Sequence, residues 1–121
     1  MRPTFDDGEQ IAASTAIDRL DRGDIVAFHY PLDESKRFVS RIIGLPNEQI
    51  EMRDGRVFID GRPLDESYVA HRSSDTWGPH SIPDGAYFMM GDNRANASDS
   101  RHWGSVRGEL VWAKIVIWTP R

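Results

Sequence analysis

Short apolar runs bounded by turn residues recur along this chain and predict β-strands. Residues 25–30 are mostly β-branched or aromatic, and Pro31 ends the run. Residues 32–36 are polar and predict a loop, after which residues 38–43 form a second strand that Gly44 stops. No segment sustains the 3.6-residue period of an amphipathic helix, so the pattern favours sheet throughout.

Two Asp-Gly pairs near the middle of the chain predict tight turns. The pair at 54–55 lies between the short alternating segments 49–52 and 56–59, which is the strongest local signal for a β-hairpin. A second pair at 60–61 predicts another turn directly after it. Residues 68–80 are polar and irregular, and they predict a surface loop.

The last third of the chain predicts two further strands around a polar loop. Residues 86–90 form one strand, residues 91–101 form the loop, and residues 110–118 form the other strand. That last run is apolar except for Lys114, a pattern typical of a strand buried on both faces. We therefore expect an all-β fold, either a barrel or paired antiparallel sheets with a small hairpin insertion.

Composition limits what such a domain can do. The 121 residues are 39% hydrophobic and 28% charged, which suits a single folded domain over 1–121 with a hairpin-and-loop insertion at about 47–82. The net charge of −4 argues against nucleic acid as a partner. Cysteine is absent, so disulfides and thiolate chemistry are excluded. The four histidines lack metal-ligand spacing, and we expect neither a metal nor a cofactor.

Nothing in the chain predicts membrane insertion. No apolar run approaches the ~20 residues that span a bilayer, and the first five residues do not form a signal peptide. Any membrane anchor of the native protein is therefore expected outside this chain.

Three motifs carry a family resemblance. The chain reads Arg-Gly-Asp-Ile-Val-Ala-Phe at 22–28 and Arg-Ile-Ile-Gly-Leu-Pro at 41–46. It then reads Gly-Asp-Asn-Arg at 91–94, Ser-Asp-Ser-Arg at 98–101 and Trp-Gly at 103–104. In this order and spacing the motifs resemble signal peptidase I, the membrane-bound serine protease that cleaves signal peptides from exported proteins. With the hairpin and the first residues, the resemblance covers nearly the whole chain.

The resemblance implies a serine nucleophile and a neutral lysine that removes its proton. An amine does this only if burial in an apolar site lowers its pKa. Backbone N–H groups at the nucleophile's turn then stabilise the oxyanion. The second and third motifs imply a bracing scaffold of Arg41, Asp92, Asn93, Arg94, Asp99, Ser100 and Arg101, in which ion pairs hold the loop and a serine hydrogen-bonds the lysine.

This chain departs from that pattern at the positions that do the chemistry. The nucleophilic serine falls immediately before Met1. The general-base lysine falls on Ser40, and the scaffold serine falls on Ala97, with Ala95 also replacing an aspartate. No catalytic residue of the family's pair is therefore intact in the chain as given.

Neither lysine of the chain is expected to replace the missing base. Lys36 precedes Ser40 by four residues, which places it about 13 Å away on a strand. Lys114 lies in the last strand, where the resemblance implies a structural role. Ser40 is not expected to be a nucleophile, because no histidine or lysine lies within predictable reach.

The resemblance also implies a cleft for extended peptide, bound by strand addition. We expect Pro3, Ile25, Ala27 and Phe28 to line it. The expected partner is the signal peptide of an exported protein, at the extracytoplasmic face of the cell membrane, with the membrane surface contacted through a segment outside this chain. Trp77, in the polar loop, is the aromatic residue expected to be exposed to lipid or peptide.

Four interpretations stay open at this stage. The chain is an inactive signal peptidase I homologue, an active enzyme with a rearranged base, or a non-catalytic peptide- or protein-binding module on the same fold. The fourth is a relative of the self-cleaving repressor proteases, which share the fold and the catalytic pair. That one is weaker, because those proteins lack the signature at 91–101 and also need the lysine.

Overall fold

The computed structural model describes residues 10–15, 19–69 and 72–119, and most of them lie in two antiparallel sheets. The strands are β1 (Gln10–Ser14), β2 (Ile25–Tyr30), β3 (Asp33–Gly44), β4 (Gln49–Arg53), β5 (Arg56–Ile59), β6 (Arg62–Pro63), β7 (Trp77–Ser81), β8 (Ala86–Met90), β9 (Val106–Arg107) and β10 (Val111–Thr119). Six strands form the larger sheet in the order β1-β10-β2-β3-β8-β9, and four form the smaller one in the order β6-β5-β4-β7. The predicted all-β fold with paired antiparallel sheets is confirmed.

The Asp-Gly turns form as the sequence predicts. Asp54 and Gly55 join β4 to β5 with φ angles of 50° and 81°, and Asp60 and Gly61 join β5 to β6 with 51° and 82°. Two successive positive φ angles match the twist of a two-residue hairpin turn, and aspartate followed by glycine tolerates them.

Two hydrophobic cores lie on either side of the paired strands β3 and β8. Ile42 and Met89 pack in one core with Val26 and Phe28, whereas their chain neighbours pack in the other. Successive side chains of a strand point to opposite faces, so one strand pair serves both cores. The second core is formed by Ile43, Ile50, Met52, Val57, Ile59, Ile82, Ala86, Phe88 and Met90.

Two sequence-based expectations about local structure are wrong. Residues 33–36 belong to β3 rather than to a loop, because Asp33 pairs with Tyr30 across a two-residue turn. The irregular stretch 68–80 contains most of β7, which pairs with β4 as an edge strand. Proline is tolerated on such an edge, so Gly78-Pro79 does not exclude a strand there.

The tryptophans also differ from expectation. Trp77 packs against the core with its ring centroid 5.3 Å from that of Phe88, so it is not the exposed aromatic residue. Trp112 is 36% exposed instead, on the strand that was expected to be buried on both faces. There the guanidinium of Arg37 lies over its ring, 5.1 Å from the centroid.

The loop after β8 contains two short helical turns. A 3-10 turn spans Arg94–Asn96, and the single-turn helix α1 spans Ser100–Trp103. Asp99 caps α1 by accepting a hydrogen bond from the Arg101 N–H. A further 3-10 turn, Gly108–Leu110, leads into β10.

Candidate functional site

A cavity of about 460 Å³ opens between β3 and the segment that follows β8. We call it the cleft. Its lining consists of Phe38, Val39, Ser40, Gly91, Asp92, Asn93, Asn96, Ala97 and Ser98. Ser40 and Ala97 therefore face the same cavity, although 56 other residues separate them in the sequence.

Ser40 supplies a hydroxyl at the inner end of the cleft. It pairs with Val26 across the β2–β3 ladder and is only 3% exposed. Its hydroxyl makes no hydrogen bond to any described residue. The aliphatic hydroxyl of serine is not among the side chains that ordinarily serve as general bases.

Asn93 supplies a second polar group without a partner. Its Oδ1 atom is buried and accepts no hydrogen bond within the described part of the chain. Buried acceptors are rarely left unsatisfied in folded proteins, and each exception calls for a physical explanation. Asn93 is therefore a residue of the cleft lining that keeps one buried oxygen without a donor among the described residues.

Arg41 and Asp92 join β3 to the floor of the cleft. The Arg41 guanidinium donates to both carboxylate oxygens of Asp92, at 2.9 and 2.8 Å, and also to the carbonyl oxygen of Gly23 at 2.9 Å. Asp92 is fully buried, so this paired geometry is needed to offset the cost of removing its charge from water. The ring of Tyr68 lies 4.2 Å from the Arg41 guanidinium.

Arg94 and Glu66 form a second buried pair behind the cleft. Two hydrogen bonds of 3.1 and 2.6 Å join the guanidinium to the carboxylate, and a third reaches the carbonyl oxygen of Gly91 at 2.8 Å. The Tyr68 hydroxyl donates to Glu66 at 3.0 Å. Burial raises the pKa of Tyr68 and the Glu66 carboxylate raises it further, so the phenol keeps the proton that it donates.

The Asp99 carboxylate stabilises the end of the loop that follows β8. One carboxylate oxygen accepts from the Gly91 N–H at 3.0 Å, and both oxygens accept from the Arg101 guanidinium at 2.9 Å. Beside it, the Ser100 hydroxyl accepts from the Met89 N–H at 2.9 Å. The loop therefore returns to β8 and closes on itself, which gives the cleft a fixed wall.

The residues that were expected to line the cleft do not all do so. Pro3 lies outside the described residues. Phe28 has no exposed surface and packs in the core, so the expectation that its side chain lines the cleft is corrected. Ile25 and Ala27 are also absent from the lining, because the outer residues of β3 lie between β2 and the cleft.

The chain's two lysines both lie away from the cleft lining. Lys36 is exposed on β3, four residues before Ser40. Lys114 donates to the Arg19 carbonyl at 3.3 Å and forms an ion pair of 3.1 Å with Asp24. These contacts hold the Lys114 ammonium at Arg19 and Asp24, away from the cleft.

The sequence analysis did not identify several residues of the site. Asn96 and Ser98 line the cleft, and Glu66 and Tyr68 support it from the stretch between β6 and β7. The polar run at 91–101 could have suggested the first two. No local signal links Glu66 to Arg94, which follows it by 28 residues.

The described residues contain no group of three histidine, aspartate or glutamate side chains arranged to hold a metal ion. None of their helices has the length and hydropathy needed to cross a bilayer.

Comparison with known proteins gives consistent matches to this architecture and sequence. The signal peptidase I of Leptolyngbya laminosa is 38% identical over 104 residues, which are 79% of this chain and 51% of that protein. The signal peptidase I S of Bacillus subtilis is 36% identical over 116 residues, covering 84% and 61%. The chain thus spans little more than half the length of these relatives.

A solved structure and a family model agree with these matches. The crystal structure of a signal peptidase I from Enterococcus faecalis superposes with a TM-score of 0.70 at 32% identity, over 79% of this chain and 96% of that one. A family model described as signal peptidase, peptidase S26, matches residues 1–119. The chain therefore belongs to the signal peptidase family, peptidase S26.

Proposed function

We propose that this chain is a signal peptidase I-type domain that binds an extended peptide in the cleft without cleaving it by the serine/lysine mechanism. One observation carries the proposal. The two side chains that face the cleft at the lysine and scaffold-serine positions are a hydroxyl at Ser40 and a methyl group at Ala97. Neither can accept or position the proton that a serine nucleophile must lose.

No other described side chain at the cleft takes over that task. Asp92 lines the cleft, but its carboxylate is held by two hydrogen bonds from Arg41. His29, His80 and His102 are absent from the lining. We therefore infer that binding is the activity of this site.

The geometry of β3 supports peptide binding. Ile42 directs both its backbone groups towards the β2 side, donating to the Asp24 carbonyl and accepting from the Gly23 N–H at 2.8 Å each. Successive residues of an antiparallel ladder direct their backbone N–H and C=O groups to alternate sides. Val39 lies three residues before Ile42, so the backbone groups of Val39 point away from β2.

That side of β3 offers an open edge. Pairing with β8 begins at Arg41, and among the described residues no strand covers the edge at Val39. An extended peptide that adds to this edge obtains main-chain hydrogen bonds and places side chains in the adjoining cleft.

Family membership suggests which peptide this is. The relatives are named signal peptidases, and we propose the signal peptide of an exported protein as the ligand. The domain would then work at the extracytoplasmic face of the cell membrane. The net charge of −4 favours a peptide over nucleic acid.

The test uses the full gene product and a fluorescent signal-peptide substrate. Fluorescence anisotropy reports binding, and mass spectrometry reports cleavage. We expect saturable binding and no cleavage. In a protein with a serine immediately before Met1, natural or introduced, Ser40→Lys combined with Ala97→Ser is expected to produce cleavage. Ser35→Lys, on the exposed part of β3, is the matched control and should produce none.

Two results would overturn the proposal. Cleavage by the unaltered protein, abolished when its nucleophile is replaced, would show an active enzyme with a rearranged base. Absence of binding by a folded protein would show that the cleft does not hold peptide.

A further inference from the structure

We infer that Tyr68 is a positioning residue for peptide binding, because its ring and hydroxyl hold the ion pair that joins the two walls of the cleft. The role in peptide binding rests on the proposed function, whereas the contacts of Tyr68 do not. Tyr68 is not among the residues that line the cleft, so it acts through others.

The pair between Arg41 and Asp92 sets the spacing of the two walls. Arg41 follows Ser40 on β3, which forms one wall, and Asp92 belongs to the segment after β8, which forms the other. Two hydrogen bonds of 2.9 and 2.8 Å make the pair bidentate, a geometry that fixes direction as well as distance. A shift of the Arg41 guanidinium therefore moves Asp92 relative to β3 and changes the width of the cleft.

The ring of Tyr68 packs on a face of this guanidinium. Its centroid lies 4.2 Å from the Arg41 Cζ atom, within the range over which an aromatic ring attracts a cation. The Arg41 side chain is only 13% exposed, so water screens this attraction weakly. The in-plane donors of Arg41 bind Asp92 and the Gly23 carbonyl, and the ring restrains the guanidinium in the direction that these hydrogen bonds leave open.

The hydroxyl of Tyr68 connects the ring to the second buried ion pair. It donates to Glu66 at 3.0 Å, and Glu66 accepts two hydrogen bonds from Arg94. Arg94 in turn donates to the carbonyl oxygen of Gly91, the residue before Asp92. These contacts form a closed circuit around the floor of the cleft, and Tyr68 contacts both ion pairs of that circuit.

The ring and the hydroxyl of Tyr68 do not contribute equally. Loss of the hydroxyl leaves the pair of Arg94 and Glu66 with both its hydrogen bonds, whereas loss of the ring lets the Arg41 guanidinium move. A peptide binds only those molecules in which the walls have the right spacing, so its apparent affinity falls with that fraction. Peptide affinity therefore depends on an aromatic ring at position 68 and much less on its hydroxyl.

The test measures the dissociation constant of the fluorescent signal peptide by anisotropy, with the full gene product. Tyr68→Leu removes the ring and should weaken binding about five- to tenfold, as for the loss of a partly buried cation–π contact. Tyr68→Phe keeps the ring and should bind nearly as tightly as the parent protein. Phe58→Leu is the matched control, because the Arg53 guanidinium lies 4.2 Å from the Phe58 ring and neither residue lines the cleft.

A double-mutant cycle separates positioning from a general contribution to stability. Arg41→Lys keeps the charge at position 41 but loses the forked hold on Asp92. If Tyr68 acts through Arg41, Tyr68→Leu should weaken peptide binding less in the Arg41→Lys background than in the parent protein. Circular dichroism confirms that each variant is folded under the conditions of the binding measurement. Losses of affinity that simply add would overturn the role of Tyr68.

The unaltered protein provides a measurement that requires no variant to fold. Saturation with peptide should shift the NMR signals of the Tyr68 ring and of the Arg41 Nε–H group together, and should leave those of the Phe58 ring in place. Absence of peptide binding by the folded parent protein would contradict the proposed function, and the role of Tyr68 in binding with it. Peptide binding that moves neither the Tyr68 nor the Arg41 signals, or that is equally tight in Tyr68→Leu, would leave the proposed function standing and overturn this role of Tyr68.

Discussion

The guanidinium of Arg94 and the carboxylate of Glu66 meet at 2.6 Å with almost no exposure of either side chain. This pair joins the stretch between β6 and β7 to the floor of the cleft, because Arg94 also holds the Gly91 carbonyl at 2.8 Å. Tyr68 adds a hydrogen bond to Glu66 and places its ring on Arg41. The shape of the cleft thus depends on residues from outside the six-stranded sheet.

Glu66→Gln is expected to lower the free energy of unfolding by about 3 kcal/mol, because it leaves a buried guanidinium without its counter-charge. Urea denaturation followed by circular dichroism measures this change. Asp21→Asn is the control, since it breaks a solvent-exposed pair with Arg19 and should leave stability unchanged. Equal stability of Glu66→Gln and the parent protein would show that the buried pair is not needed.

Much of the sheet could be predicted from the sequence because its signals are local. The Asp-Gly turn at 54–55 and the apolar run at 25–30 need only neighbouring residues to be recognised. The edge strand β7 could not be predicted, because Gly78-Pro79 breaks strands in most contexts and is tolerated here only by its position at an edge.

The candidate site likewise contains residues that local motifs identify and residues that only the folded structure brings together. The motifs indicated that positions 40 and 97 belong together, and the structure places both in one cleft. The pairing of Glu66 with Arg94 is set by the three-dimensional path of the chain, and neither residue has a local pattern that identifies the other. The unpartnered oxygen of Asn93 is likewise visible only once its surroundings are known.

Gly91→Ala is expected to disturb the cleft through one contact. A Cβ atom at position 91 would lie 2.8 Å from the Cβ atom of Ala97, which is closer than two carbon atoms can pack. We expect a loss of about 1–3 kcal/mol in the free energy of unfolding. Because Ala97→Gly removes the opposing atom, the double variant should recover part of that loss, and a double-mutant cycle measures the coupling. A coupling energy of zero would contradict the close approach.

A comparison of Gly55→Ala with Gly61→Ala separates the cost of backbone strain from the cost of steric overlap between the new Cβ atom and its neighbours. The two glycines have φ angles of 81° and 82°, so an alanine meets the same conformational penalty of roughly 1–2 kcal/mol at each. A Cβ atom at Gly61 meets nothing within 4 Å, whereas one at Gly55 overlaps the carbonyl oxygen of Ser73. We therefore expect Gly55→Ala to be the more destabilising by about 1–3 kcal/mol in urea denaturation. Equal losses would show that the stretch around Ser73 moves away without cost.

The pair between Arg22 and Glu48 predicts a pH dependence of stability. Burial alone raises the pKa of Glu48, but two hydrogen bonds from the Arg22 guanidinium and one from the Leu45 N–H outweigh it and lower the pKa below its ordinary value of 4.5. A carboxyl group whose pKa is lowered by folding stabilises the folded state above its unfolded pKa, and this contribution is lost as the pH falls through the folded value.

Glu48→Gln should therefore cost about 1 kcal/mol at pH 7, where the partly buried pair is fully charged. The difference between the variant and the parent protein should shrink as the pH falls below about 4.5, since the parent then protonates Glu48. Urea denaturation of both proteins between pH 3 and pH 7 measures this difference directly. A difference that stays constant across the range would mean that the charge of Glu48 contributes nothing, and that its hydrogen bonds to Arg22 and Leu45 are equally well made by an amide.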